Sequence, residues 1–185
     1  MTRHRPPRSW RIFRRYRKSQ SGVTAIEFAM VAPPFLALMM AIFEVGIMLF
    51  SEYVIEHGVN QTARMIRTGE VQTQPMNASE FKTTVCGRLA GYLDCETNLH
   101  IDVRAFADFD AIALPEPLTE EGELSSDVTS GKFEPGDPFE VVVVRVYYAW
   151  SLFTPGMTLM SNMSDGRRLL AAGAAFRNEP YAPSS

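Results

Sequence analysis

Cysteine is scarce in this chain, with two residues in 185, which excludes a disulfide-dense scaffold and a multi-cysteine zinc module. Histidine is nearly as scarce: His4, His57 and His100 lie in three separate segments and make no ligand spacing. No Ser-His-Asp order, glycine-rich phosphate loop or metal quartet stands out. The expectation is therefore no enzyme, no catalytic residue, no metal or other cofactor, and no small-molecule substrate. Acid is missing from residues 1–22, where seven Arg and one Lys give +8. The rest holds 10 basic and 21 acidic residues, or −11, so the overall −3 describes neither part. A third scarcity decides most. Between Val23 and Phe50 the only charged residues are Glu27 and Glu44, and Phe28–Phe43 has none.

At about 1.5 Å per residue, a helix over 23–50 exceeds a hydrocarbon core of roughly 30 Å. The stretch predicts a single transmembrane helix. Lys and Arg stay on the cytoplasmic side, so the basic arm reads as a cytoplasmic leader and puts the C-terminal part across the membrane. Trp10, Phe13 and Tyr16 interleave with the arginines in a way that superficially suits nucleic acid. The arm is short and abuts the apolar stretch directly, so no nucleic-acid partner is expected. A cleaved secretory signal is the other rival. Its apolar region would be shorter, and here no breaker separates the apolar run from Ser51–Arg67.

Residues 51–69 continue the helical pattern, with Tyr53, Val54, Gly58, Thr62, Met65 and Ile66 able to share a stripe and Thr68-Gly69 as the stop. Pro33-Pro34 predicts a kink or local unwinding. After a polar linker, Asn77 or Ser79 caps a short helix reaching about Tyr92, with Phe81, Val85, Leu89 and Leu93 four apart. Leu99–Ala105 alternates as a half-buried strand, Phe139–Trp150 reads as a central strand apolar on both faces, and Arg168–Phe176 as a last strand. The fold class is α+β: a long N-terminal transmembrane helix extending into a small antiparallel sheet domain with one short additional helix. The divisions are a leader at 1–22, the span at 23–50, its extension at 51–69 and a periplasmic domain at 70–185.

Within that domain, 108–138 holds nine acids, one Lys and four Pro without sustained periodicity, and is expected to be a mobile excursion or a contact loop. Asp108, Asp110, Glu120, Glu121 and Glu123 have the chemistry for calcium, but their order matches no EF-hand and solvated acids are the plainer reading. Cys86 and Cys95 flank the end of the short helix. Across the membrane such a pair reads as one disulfide, the alternative being two separate buried thiols.

Gly22-Val23-Thr24-Ala25-Ile26-Glu27-Phe28 sits at the seam between leader and apolar run. A carboxylate at the entrance of a membrane helix asks for a partner. On position alone, Glu27 could instead sit beside the helix N-terminal dipole at low cost. The whole arrangement resembles the type IV prepilin signature, with a basic leader ending in Gly and Glu at the fifth residue after it. VTAIEFAMVAPPF, the IFEVG segment and NQTARMIRTG make the chain similar to TadE-like pseudopilins of the Tad/Flp tight-adherence pilus, and AAFRNEP weakly resembles their closing motif.

The resemblance implies a prepilin peptidase cutting between Gly22 and Val23. It also implies assembly through Glu27 and Phe28, with Glu27 of an incoming subunit meeting the new amine at Val23 of its neighbour. The partners implied are the inner membrane, the peptidase and other pilins or pseudopilins of the Tad apparatus. Because a substantial domain follows the helix, a minor or assembly role is expected, at the inner membrane or on the pilus. Two alternatives stay open: a permanently anchored periplasmic adaptor or sensor, and a type II secretion pseudopilin.

Overall fold

The computed structural model describes residues 21–181 apart from Pro75, Ala90 and Tyr92, so the basic leader lies, as far as Gln20, outside the described residues. The elements are α1 (Ser21–Arg67), α2 (Glu70–Thr73), α3 (Ala78–Arg88), α4 (Cys95–Asn98), β1 (Leu99–Phe106), α5 (Ser126–Ser130), β2 (Val141–Trp150), a 3-10 turn (Met157–Met160) and β3 (Arg168–Arg177). This is the α+β arrangement expected from the sequence. The chain forms two compact units, one ending at Phe43 and one beginning at Glu44.

In the first unit α1 runs unbroken through Pro33 and Pro34. Its side chains from Val23 to Phe43 are exposed or, at Ala32 and Ala41, half-exposed. A helix apolar all round with nothing packed on it is a membrane-type helix. By length and composition it is long and apolar enough to cross a bilayer.

In the second unit α1 becomes a core helix. Ile55, Val59, Ala63 and Ile66 recur at helical spacing and are buried. They pack with Phe81, Val85 and Leu89, the buried stripe around α3. Gly58 lets the two helices approach, because a Cβ there would stand 2.8 Å from Leu89 Cδ2. The start of α3 follows its sequence: Asn77 accepts from the Glu80 N–H, and Glu80 accepts from the Asn77 N–H, closing a capping box. The helix stops at Arg88, shorter than the stripe suggested. Gly69 ends α1 with φ 78, a conformation that costs glycine little.

The sheet is antiparallel in the order β1-β2-β3. Its first face carries Leu99, Val103, Val142, Val144, Val146, Tyr148, Trp150 and Leu170 into the helical core. The second face is not left to solvent. Tyr147, Ala149 and Leu169 pack there with Met163, Val128, Leu118 and Leu124. That double burial is why β2 is apolar at nearly every position.

The cover comes from 108–138, which is no structureless excursion. It contains α5, a Leu118–Leu124 bridge, and a bridge from Phe133 to Val103. Its apolar anchors are too widely spaced among the acids to show a period. Polar ties reinforce them: Arg145 Nη1 donates to the Pro115 carbonyl at 2.9 Å, and Arg104 Nη2 to Asp127 at 3.2 Å.

Asp102 stands at the centre of this face. Its carboxylate, 1% exposed, accepts from Arg145 Nη2 at 2.6 Å and from Arg104 Nε at 2.9 Å. The Lys132 N–H adds a longer contact at 3.4 Å. Removing one member of a buried ionic set leaves the others uncompensated. Asp102→Ala should therefore cost about 3–5 kcal/mol by denaturant unfolding of the detergent-solubilised chain, and loosen 108–138 first in hydrogen exchange.

Candidate processing and assembly site

Gly22, Val23, Glu27 and Phe28 fall on the first turns of α1, and all are exposed. Val23 is 55% exposed and Phe28 72%. Gly22 has nothing within 4 Å of a Cβ built on it, so this stretch of backbone is uncrowded. Val23 and Glu27 are four residues apart, which brings them to one side of the helix a turn apart. Among the described residues the Glu27 side chain has no ion-pair or hydrogen-bond partner. The seam thus presents an accessible peptide and, one turn on, a carboxylate that the described fold leaves unsatisfied.

Glu44 is the opposite case, and its role was not legible in the sequence. It is fully buried. Its Oε1 accepts from the Phe153 N–H at 2.7 Å and its Oε2 from the Thr154 N–H at 2.8 Å. Both bonds are charge-assisted, and together they use both carboxylate oxygens. The donors sit in the β2–β3 connection just before Pro155-Gly156. One acid in an otherwise apolar run was the signal for a partner; nothing in the sequence pointed to backbone more than a hundred residues away.

Cys86 and Cys95 are brought together, their thiols within hydrogen-bonding reach of each other. Burial, followed by a hydrogen bond between the Cys95 and Cys86 side chains, pushes the Cys95 thiol up to about 12. A protonated thiol is a poor nucleophile, so the reduced Cys95 is chemically quiet. The acids considered for calcium do not gather: among the described residues no three metal-ligating side chains cluster. Asp108 accepts instead from the Ala111 N–H at 2.8 Å, closing its own turn.

The closing AAFRNEP segment does mechanical work in the second unit. The Asn178 amide donates to the Pro135 and Asp137 carbonyls at 3.0 and 3.1 Å. The Glu179 N–H caps the Arg67 carbonyl at 2.8 Å, and its carboxylate meets Arg67 Nη2 at 3.0 Å. The end of α1 is thereby fastened to the end of β3.

Residues 22–64 match the family described as TadE-like protein. No curated protein and no solved structure matches the chain. The TadE-like match bears out the resemblance over the segment where its motifs are strongest. It begins at Gly22, takes in Glu27 and Glu44, and stops three residues before α1 ends. The sheet domain lies outside it.

Glu44→Ala would strand two buried N–H donors. Since each unsatisfied group costs about 1–3 kcal/mol, the variant should lose roughly 2–5 kcal/mol in denaturant unfolding. Limited proteolysis should also cut near residues 153–159 sooner than in the parent chain. Glu44→Gln keeps one acceptor and should lose less.

Proposed function

We propose that this protein is a non-enzymatic minor pseudopilin of a Tad/Flp-type pilus, acting in pilus assembly and thereby in adherence. It is a single-pass inner-membrane protein with its N-terminus in the cytoplasm and its sheet domain in the periplasm. The observation that carries the reading is the TadE-like match over 22–64, which begins at the Gly22–Phe28 seam on an uncovered apolar helix.

In this reading a prepilin peptidase of the membrane cuts between Gly22 and Val23. The cut removes the basic arm that holds the N-terminus in the cytoplasm and creates an ammonium at Val23. Neither that charge nor the Glu27 carboxylate is comfortable in lipid, so each gains from neutralising the other. Pairing Glu27 of one subunit with Val23 of the next fixes an axial register, and exposed Phe28 adds apolar contact beside it. Ala25, Ala29, Ala37 and Ala41 let neighbouring helices approach closely. A substantial domain after the helix suits a minor subunit rather than the bulk filament.

N-terminal sequencing of the protein from cells with an active prepilin peptidase should find Val23 first. An uncut chain there would sink the processing step and favour a permanently anchored adaptor. Glu27→Ala should leave cleavage largely intact while incorporation into pili, or their assembly, fails; unchanged piliation and adherence would remove the charge-pairing mechanism. In the oxidising periplasm Cys86 and Cys95 close into a disulfide, worth about 2–3 kcal/mol for so short a loop. Thiol labelling of the cell-derived protein before reduction should modify neither cysteine, and two labelled thiols would refute the bond.

A further inference from the structure

We propose that the β2–β3 connection, residues 151–160, lies on the lipid bilayer with Phe153 and Leu159 set into the headgroup boundary, making it a second membrane contact beside α1. The inference rests on the membrane reading of α1 and adds a surface that the helix does not supply.

Among the described residues, six of the nine exposed large apolar side chains from Glu44 onward belong to two short segments. Ile47, Leu49, Phe50 and Tyr53 follow Glu44 on α1, and Phe153 and Leu159 lie in the connection. The connection is held at Glu44, whose carboxylate accepts from the N–H groups of Phe153 and Thr154. Solvated loops seldom look like this one. Leu159, on the 3-10 turn, is 95% exposed. No residue from Ser151 to Ser164 is charged, although the same unit spends nine acids on 108–138. Phe153 and Leu159 are thus exposed apolar side chains on an uncharged loop, a composition suited to a surface that meets something other than water.

The choice of lipid follows from chain continuity. The expected span 23–50 is longer than a hydrocarbon core of roughly 30 Å requires; its first 21 residues, 23–43, account for that core at about 1.5 Å each, and Glu44 onward belongs to the packed second unit. Glu44 is the next residue, so the chain leaves the hydrocarbon where it grips the connection. Phe153 is thus tied within one side chain's reach of the bilayer boundary. Leucine and aromatic side chains beside uncharged polar residues are what that boundary accommodates, and acids are what an anionic leaflet repels.

The test uses the full native chain, reconstituted at about one copy per vesicle in phosphatidylethanolamine and phosphatidylglycerol. A small fraction of the lipid carries a photoreactive diazirine near the headgroup, and adducts are mapped by mass spectrometry. Adducts are expected on α1 and on residues 151–160, and not on 108–138. Leu159→Glu, at a side chain too exposed to matter for folding, should cut the loop adducts roughly tenfold while those on α1 persist. Adducts on α1 without any on 151–160 would overturn the proposal and leave the loop to a second copy or another protein. A chain that alkaline carbonate releases from the vesicles, with no adducts on α1, would overturn the anchoring reading and this inference with it.

Discussion

The fold of the second unit hinges on one carboxylate. Glu44 is the residue at which a helix uncovered on all sides becomes a helix packed against a sheet, and it is fully buried there. A charge in such a place must be matched in full or it destabilises everything around it. The match here is made by backbone N–H groups of the β2–β3 connection, at 2.7 and 2.8 Å. Backbone donors cannot rotate away as a lysine can, so the pairing fixes the position of the chain as well as the charge. The connection after the central strand is thus fastened to the point where α1 enters the unit. At the opposite end of that stretch of α1, the Glu179 N–H and carboxylate hold Arg67. Residues 44 to 67 are tied at both ends to the strands they cover.

The same logic explains the other buried acid. Asp102 faces Arg145 across the β1–β2 ladder, with Arg104 beside it. Two guanidinium groups around one carboxylate leave a surplus of positive charge, and Asp127 on α5 answers part of it. An acidic covering segment is therefore suited to this face of the sheet, while the apolar residues Leu118, Leu124 and Val128 supply the burial. The segment's composition looks disordered only while the arginines beneath it are out of view.

What could be read from the sequence, and what could not, divides along the range of the interactions. Periodicity is local, and it located α1 beyond the membrane stretch, the buried stripe of α3, and all three strands to within a few residues. Capping is local too, and Asn77 takes the cap that its type and place predict. Partners at long range have no such trace. Glu44 could be seen to need donors, but the chain does not encode in any short window that Phe153 and Thr154 supply them. The cover over the second face was hidden for a related reason: three apolar anchors spread through 108–138 bury a face without making a period. Cys86 and Cys95 were expected to pair as one disulfide; the fold brings the two together, and proximity does not dictate oxidation state. Burial and a thiol–thiol hydrogen bond keep the Cys95 thiol protonated while the pair is reduced.

The candidate site is defined by the contrast between two glutamates on one helix. Both stand in apolar sequence, and both would be costly if left ionised without partners. For Glu44 the chain's own fold provides two donors and closes every lone route to solvent. For Glu27 the described fold provides none, and the residue is exposed on a helix with nothing packed against it. A carboxylate satisfied internally is a structural device and has no need of another molecule. One left open in a segment of membrane character is stable there only once something outside the chain completes it. On the proposed function, that completion is the amine uncovered at Val23 of a neighbouring subunit, and the penalty for leaving Glu27 unpaired becomes the force that selects assembly. The matched family segment spans both acids. On the proposed function its two ends have different tasks, the first facing other subunits; the second holds the β2–β3 connection through Glu44.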